Sequence, residues 1–495
     1  MRAGHAAALG LLLLSLGACV TPAPMNVRRP DSGPKVTYRY DTLEAGDNSD
    51  DLFVILAFSG GGTRAAAFSF GVMEGLHDVD YQAAAARRRL LQEVDVIASV
   101  SGGSFTAAYY ALFPDEFFAK FPDDFLYRNI QGSLIRKALA PWNWFRLGRR
   151  GFDRIHLAVE LYDESVFRGK TFADLRRKPY IILNATDMTL GRRFEFTQEQ
   201  FDLLCSDVSQ TKIAAGVAAS SAFPGLLSPL TLKNFVAEGC RVDQPEWIEL
   251  ALRRRTSLAR YTRARDLDSY RDAAQQRAWI HLLDGGLADN IGLRGPDVAL
   301  RSATDTHWSV LARVNREQTH RVLVIAVNAK TKPSTNWDRH ASAPGLLSVL
   351  GFVTSGPMDN YSFDTVQRIR DFAREQNQEY EAWAACRDSI RAVCDRPPPR
   401  TVLPTVDYHA VEVAFDAVPE ERLRRCLESL PTTFALTRAQ IDLLRKAGRR
   451  LLVTSPELHT ALKKLDPNWK PPPETVIDAT LVDAACPGGP EGAPR

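Results

Sequence analysis

The sequence predicts an α/β protein whose mostly parallel central sheet is covered by helices on both faces, followed by a mainly helical C-terminal region. Short, continuously apolar segments alternate with helical patterns over the first two thirds of the chain. Strands of a parallel sheet are apolar throughout because both of their faces are buried. The composition agrees, since 45% of the 495 residues are hydrophobic and 24% are charged, which is enough apolar material for a large core.

The predicted strands are the apolar runs themselves. Helices are predicted after the first two runs, over residues 64–76 and 104–112. Strands that alternate with helices are typical of a sheet built from crossover units. The five runs cover residues 52–58, 94–100, 180–185, 280–283 and 322–327.

The second half of the chain gives weaker signals. Residues 240–278 form a charged helical insertion, for which a solvated surface is favoured over a membrane-facing helix. Residues 331–470 are predicted to be mainly helical, with a capping-box pattern at Thr437 and Gln440. Because residues 405–415 alternate like a strand, this region either forms a separate unit or completes the main sheet. The Pro/Gly-rich residues 471–495 are predicted to be a flexible tail.

Charge excludes one class of partner. The 62 Lys and Arg residues nearly balance 59 Asp and Glu residues, so no field of one sign dominates as nucleic-acid binding requires. Nucleic acid is therefore not an expected partner. The chain has no C-x-x-C or clustered Cys/His spacing, so we expect no metal, and no cofactor is predicted.

The N-terminus resembles an export signal. Arg2 precedes an apolar run over residues 6–16, which is too short for the roughly 20 residues that span a bilayer. The string Leu-Gly-Ala-Cys ending at Cys19 resembles a bacterial lipobox, in which the cysteine is lipidated. We expect a signal peptide over 1–18 and a lipidated tether over 19–50, anchored in the cell envelope at the outer membrane facing the periplasm. The alternative is an ordinary signal peptide with an incidental Cys19.

The cysteines beyond Cys19 are even in number, which permits disulfides in an exported chain. The sequence cannot choose among the pairings. Cys386 with Cys394 is the most local one; the others are Cys205, Cys240, Cys426 and Cys486.

A serine lies where the second predicted strand gives way to a helix, in Ser99-Val100-Ser101-Gly102-Gly103. Small residues around Ser101 let the backbone turn sharply and lift the hydroxyl above the strand ends. The usual nucleophile elbow is G-x-S-x-G, and here Ser99 replaces the first glycine. The motif alone is compatible with a plain Ser/Gly turn, so its neighbours decide the interpretation.

A glycine-rich loop joins the first predicted strand to the first predicted helix. Gly60, Gly61 and Gly62 present backbone N–H groups at a helix N-terminus, which suits a developing oxyanion. We predict that these groups, with the N–H of Gly102, form an oxyanion hole, and that Arg64 braces the loop or adds to its positive potential. The alternative, a phosphate-binding loop, lacks the G-K-[ST] ending and any G-x-G-x-x-G match.

Asp284 ends a predicted strand and is followed by Gly285 and Gly286. The glycines let the chain bend away, so the carboxylate is predicted to project at the rim that carries Ser101. There it would accept the serine proton and return it to the leaving alcohol. His281 lies an odd number of residues earlier and points to the other face of a strand. A Ser-His-Asp triad stays open, but no motif nominates its histidine.

Together the three motifs resemble the patatin-like phospholipase family over about residues 51–329. The glycine loop with Arg64, the elbow at Ser101 and the D-G-G motif at Asp284 occur in the family's order. Two departures are Ser59, where an acidic residue often precedes the glycines, and the serine at the elbow described above.

Two further segments resemble the same family, N-A-T-D at 184–187 and A-A-S-S-A-F-P at 218–224. The resemblance implies a three-layer α/β/α fold and a Ser-Asp dyad without histidine. It places the catalytic domain at residues 51–330.

The resemblance also implies a function, a serine acyl hydrolase that releases fatty acid from phospholipid or lysophospholipid at a membrane surface. An esterase, thioesterase or acyltransferase could use the same dyad on another acyl donor. A non-catalytic envelope lipoprotein is the alternative from a different class, but binding alone does not require the nucleophile, the glycine loop and the aspartate together.

Overall fold

The structure is a computed structural model. The predicted signal segment, Cys19 and the pair Cys386–Cys394 lie outside the residues that it describes. The described residues are 24–30, 38–44, 46, 48–49, 51–83, 86–149, 151–255, 258–301, 319–331, 341, 361–379, 381–382, 385, 389 and 406–487.

The centre of the described structure is an eight-stranded mixed sheet. Its strands are β1 Leu52–Phe58, β2 Val94–Val100, β3 Tyr180–Asp187, β4 Arg192–Glu195, β5 Leu230–Lys233, β6 Trp279–Asp284, β7 Arg321–Asn328 and β8 Asp407–Ala414. Their order is β8-β7-β1-β2-β3-β6-β5, and β4 pairs with residues 184–187 of β3. The first five strands of this order pair in parallel, whereas β4, β5 and β6 join by antiparallel pairing. Two small two-stranded sheets pair Val27–Arg28 with Ser206–Asp207 and Asp80–Gln82 with Arg87–Arg89.

Helices flank the sheet, and the predicted α/β fold with a mostly parallel sheet is confirmed. Every residue of β1 and β2 is buried, as expected for strands covered on both faces. The helices are α1 Gly62–Asp78, α2 Gly102–Leu112, α3 Phe117–Phe121, α4 Ile130–Leu139, α5 Pro141–Leu147, α6 Arg154–Tyr162, α7 Gln198–Asp202, α8 Ile213–Ser220, α9 Glu246–Arg254, α10 Leu258–Asp272, α11 Gly286–Asp289, α12 Arg294–Arg301, α13 361–379, α14 Glu421–Ser429, α15 Arg438–Val453, α16 Pro456–Leu465 and α17 Ala479–Ala485.

The C-terminal part of the chain joins the main sheet. β8 pairs in parallel with β7 along the whole length of both strands, which favours completion of the sheet over a separate unit. The predicted domain boundaries stay predictions. Helix α15 begins with the predicted capping box of Thr437 and Gln440 and packs along α1, where Arg445 pairs with Glu74 at 2.8 Å. Residues beyond 406 therefore support the helix that follows the glycine loop.

Two disulfides lie within the described residues. Cys205 pairs with Cys240, at the start of the charged insertion, and Cys426 pairs with Cys486, which ties α14 to the end of α17. Helices α9 and α10 of the insertion pack onto the domain, and the Tyr270 hydroxyl of α10 donates to Asp187 at 2.8 Å. None of the described helices combines the length and apolarity that a membrane crossing requires.

Candidate active site

Ser101 occupies a sharp turn between β2 and α2. Its backbone adopts φ 49° and ψ −117°, a strained conformation for a residue with a side chain and one that recurs at functional sites. The following residue must be glycine, because a Cβ on Gly102 would overlap the carbonyl of Gly62. The turn is a nucleophile elbow in shape, and Ser101 is 7% exposed at its tip.

Asp284 reaches Ser101 from a strand that runs in the opposite direction. β6 is antiparallel to β3, a direction that the sequence did not reveal. The last residue of β2, Val100, pairs with Asn184 of β3, and β3 continues beyond that point. β6 pairs with this extension and ends with Asp284 opposite Ala185. The carboxyl ends of β2 and β6 therefore lie side by side.

The two side chains lie close enough to interact electrostatically. One oxygen of the Asp284 carboxylate accepts the N–H of Gly286 at 2.8 Å, and Asp284 is 4% exposed. Burial raises the pKa of Asp284 from 3.8 to about 6, whereas the Gly286 N–H and the Ser101 side chain act to lower it. Asp284 is therefore a buried carboxylate whose pKa lies close to neutral pH.

The glycine loop lies against Ser101, and some of its N–H groups are already used. Gly60 donates to the carbonyl of Asn290 at 3.0 Å, and Thr63 donates to the carbonyl of Thr433 at 2.9 Å. The N–H groups of Gly61 and Gly62 have no acceptor among the described residues. They lie at the N-terminus of α1, where the helix dipole favours negative charge.

The N–H of Gly102 completes a set of three donors. It too has no acceptor within the described part of the chain, and a Cβ on Gly102 would lie 2.9 Å from the nitrogen of Gly62. The structure thus brings Gly61, Gly62 and Gly102 together beside the serine. The N–H of Gly60, which was predicted to join them, is engaged with Asn290.

Arg64 binds the C-terminal segment that follows α14. Its guanidinium donates to the carbonyls of Ala329 at 3.0 Å and Leu430 at 2.8 Å, and to the hydroxyl of Thr432 at 2.9 Å. These bonds fit the bracing role that the sequence offered for Arg64. With the bond from Thr63 to Thr433, they tie the glycine loop to residues 430–433. No local motif marks that segment, so sequence reasoning missed it.

Ser220 is a second residue that sequence reasoning missed. Its hydroxyl accepts the backbone N–H of Ser101 at 2.9 Å and donates to the carbonyl of Asn184 at 2.7 Å. It also lies 2.9 Å from the hydroxyl of Ser104, which donates to Ser99 at 3.1 Å. Ser99, which replaces the usual first glycine of the elbow, is therefore part of a buried network of hydroxyl groups. Ser220 lies in the 218–224 segment and bonds to Asn184 of the 184–187 segment. Both segments resembled the family in sequence, but the sequence assigned no role to either.

The described histidines do not reach this site. The His281 side chain is exposed, on the face of β6 opposite to the buried Asp284, and its ring lies 3.0 Å from the hydroxyl of Thr231. His77, His156 and His320 contact Arg89, Asp153 and Asp51, respectively. The pair of Ser101 and Asp284 has no histidine contact among the described residues.

Comparisons with known proteins agree with the motifs. The profile of the patatin-like phospholipase family matches residues 56–297, which span β1, the elbow and Asp284. Among solved structures, the crystal structure of VipD from Legionella pneumophila is similar at 11% identity over 88% of this chain and 73% of that chain. Its TM-score of 0.27 is too low to support an argument. No curated protein matches the chain significantly.

The family's match covers the three motifs that meet at one edge of the sheet, and the fold has the flanked mixed sheet that the family implies. The chain therefore contains a patatin-like phospholipase domain over residues 56–297.

Proposed function

We propose that this protein is a serine acyl hydrolase that releases fatty acid from phospholipid or lysophospholipid through Ser101 and Asp284. The family as a whole suggests lipid acyl hydrolase activity. The observation that carries the finer proposal is that the strained Ser101 lies beside the buried Asp284, whose pKa it affects, next to three N–H donors without an acceptor among the described residues. A purely structural serine turn requires neither the base nor the donors.

The chemistry proceeds in two halves. Ser101 Oγ attacks the ester carbonyl carbon while its proton passes to Asp284, and the N–H groups of Gly61, Gly62 and Gly102 stabilise the oxyanion. The intermediate collapses, Asp284 returns the proton to the leaving alkoxide, and the alcohol departs from an acyl-enzyme. Water then attacks the acyl group with Asp284 again as base, and the free fatty acid leaves while Ser101 regains its proton.

The raised pKa of Asp284 suits this role. A carboxylate with a pKa of about 6 is ionised at pH 7, yet it binds a proton far better than an exposed aspartate does. The two groups that act to lower the pKa of Asp284, the Gly286 N–H and the Ser101 side chain, are neutral. No cation among the described residues lowers this pKa further.

A fluorophosphonate probe tests the nucleophile. We expect the wild-type protein to be labelled at Ser101, as located by mass spectrometry, and Ser101→Ala to remain unlabelled. Ser69→Ala is the matched control, since Ser69 is also buried and its hydroxyl has no hydrogen-bond partner among the described residues. Labelling at another residue, or none under conditions that label a control hydrolase, contradicts the proposal.

The substrate needs a separate assay. Purified protein should release fatty acid from phospholipid or lysophospholipid faster than from triacylglycerol or acyl thioester. Faster turnover of a thioester or transfer to an added alcohol would favour the thioesterase or acyltransferase alternative. Labelling without turnover of any of these substrates would leave only a hydrolase-like binding protein.

We further propose that the protein is exported and anchored by a lipid on Cys19 at the outer membrane, facing the periplasm. The lipobox-like string before Cys19 supports this, and so do the two disulfides, which form in oxidising compartments. Membrane fractionation of the wild type and Cys19→Ser tests the anchor. Equal recovery of both proteins in the outer membrane fraction would show that a lipid on Cys19 is not what anchors the protein there.

A further inference from the structure

Helices α4 and α5 expose an unusual apolar surface. Trp142 is 68% exposed, Trp144 61% and Phe145 78%. Monomeric proteins rarely leave large side chains clustered in water without a binding role. The surface, here called the Trp142 surface, consists of Ile135, Leu139, Trp142, Trp144 and Phe145.

Helix α5 is inverted relative to a normal surface helix. Its buried residue is the polar Asn143, whose side chain donates to the carbonyl of Lys137 at 2.7 Å and accepts from Arg146 at 3.0 Å. The tryptophans and the phenylalanine face outward instead. An amphipathic helix normally turns its apolar face to the core, so the outward apolar face of α5 points to an apolar partner outside the domain.

The segment that carries this surface has only positively charged side chains. Residues 130–152 contain five Lys or Arg residues and no Asp or Glu. Lys137 and Arg146 pair with Glu160 of α6. Arg136 and Arg149 are exposed and have no ion pair within the described residues. The surface therefore combines an apolar face with unneutralised cations.

Both ends of this region connect to the candidate active site. At the start of α4, the Gln131 N–H donates to the carbonyl of Phe434 at 3.2 Å, and its side-chain oxygen accepts the hydroxyl of Thr433 at 2.6 Å. Thr433 in turn holds the glycine loop. After α5, Arg154 donates to the carbonyl of Gly225 at 2.9 Å. Gly225 lies in the loop that begins after Ala222, and the carbonyl of Ala222 accepts the N–H of Asp284. The segment that carries the Trp142 surface is thus joined at both ends to loops of the site.

We propose that the Trp142 surface docks the protein onto a lipid bilayer that contains anionic phospholipid and presents that bilayer to Ser101. Trp side chains favour the membrane interface, where an apolar ring and a polar N–H are both accommodated. Exposed arginines add attraction to anionic headgroups. The presentation of substrate rests on the proposed function, whereas the docking itself does not.

Vesicle binding tests the docking. The full chain is used with Cys19→Ser in every protein, so that no lipid is attached there. Sedimentation with phosphatidylcholine vesicles, with or without phosphatidylglycerol, measures the bound fraction. We expect Trp142→Ser/Trp144→Ser/Phe145→Ser to lower the partition coefficient by about tenfold or more. The matched control Leu258→Ser/Phe363→Ser/Val476→Ser removes apolar side chains that are equally exposed elsewhere, and it should bind like the parent.

The cations have their own test. Arg136→Gln/Arg149→Gln should weaken binding to anionic vesicles about fivefold per arginine and leave binding to neutral vesicles unchanged. Hydrolysis of a soluble short-chain ester should be the same in the parent and in both surface variants, which also shows that the variants fold.

Three outcomes would overturn the docking proposal: no vesicle binding by the parent, equal binding by the triple variant, or no preference for anionic vesicles. A fourth is a parent dimer that the triple variant converts to a monomer while vesicle binding stays unchanged, because the surface would then join two copies of this chain. If vesicle binding follows the prediction but the parent hydrolyses no ester, the function proposed for Ser101 fails and the docking surface stands.

Discussion

Two buried aspartates at opposite ends of the same sheet have similar pKa values and different surroundings. Asp95, near the start of β2, accepts hydrogen bonds from the ammonium of Lys178 at 2.8 Å and from the N–H of Val54 at 2.9 Å. Burial raises its pKa to about 6, and Lys178 opposes the rise. Asp284, at the end of β6, reaches about 6 with neutral donors alone.

The comparison shows that a raised pKa does not by itself identify a catalytic base. Asp95 pairs with Lys178, just before β3, whereas Asp284 faces a strained serine beside N–H donors that have no acceptor among the described residues. Removal of Asp95 would leave a largely buried ammonium unpaired. At Asp284 no cation among the described residues opposes the raised pKa, which suits the proton transfer that the proposed mechanism assigns to this group. The surroundings, not the pKa, separate the two roles.

The largest expected effect is on catalysis. Ser101→Ala and Asp284→Asn should each lower kcat/KM for a soluble ester by about 10³-fold or more, because each removes the nucleophile or its base. Asp95→Asn should stay within a fewfold of wild type per folded molecule. Ester hydrolysis by the three purified variants measures this. Equal losses in Asp95→Asn and Asp284→Asn would erase the distinction between the two aspartates.

Stability should show the reverse order. Asp95→Ala leaves the largely buried ammonium of Lys178 unpaired and should lower the free energy of unfolding by ~3 kcal/mol. Asp284→Ala leaves no buried cation behind and should cost less. Urea unfolding of both variants gives the comparison. A smaller loss for Asp95→Ala than for Asp284→Ala would mean that the pair with Lys178 is not stabilising.

The glycine loop should be sensitive to a single methyl group. A Cβ on Gly62 would lie 2.5 Å from the carbonyl oxygen of Thr433, so Gly62→Ala should displace the loop and lower kcat by about 10²-fold, as the loss of one oxyanion donor does. Gly239→Ala is the control, since Gly239 also has a positive φ but no atom near its Cβ position. Comparable losses of kcat in the two variants would point to general strain instead of a displaced donor.

The smallest effect is the pH dependence of activity. Because the proposed mechanism requires an ionised Asp284, kcat/KM should fall about tenfold per pH unit below about 6. The effect on folding has the opposite sign. An aspartate whose pKa is raised from 3.8 in the folded state stabilises the fold most below pH 4, and this contribution is lost as pH rises through about 6. An acid limb near pH 4 would place the base at an unperturbed carboxylate.

The sequence predicted the strands that lead to the site because their local pattern is decisive. β1 and β2 have the predicted bounds, since each is an uninterrupted apolar run that ends in small, flexible residues. The Ser101 and Asp284 motifs could be found for a similar reason, because sharp turns at strand ends require glycine at particular offsets.

Other features depend on contacts that no local pattern records. The antiparallel direction of β6 follows from its pairing with the far part of β3. The support of the glycine loop by Thr433 joins residues about 370 positions apart, and the sequence could not select the pairings Cys205–Cys240 and Cys426–Cys486 from among the alternatives. The sequence of α5 does not show which of its faces points outward. The outward position of Trp142, Trp144 and Phe145 became clear only from the structure, in which Asn143 faces inward.

The central claim is that Asp284, without a histidine, activates Ser101. The most direct test is the rate of fluorophosphonate labelling of Ser101 as a function of pH in the wild type, Asp284→Asn and Asp95→Asn. We predict that the wild type and Asp95→Asn lose labelling below about pH 6, and that Asp284→Asn is labelled at least about 10³-fold more slowly at every pH. Labelling of Asp284→Asn at the wild-type rate would contradict the claim.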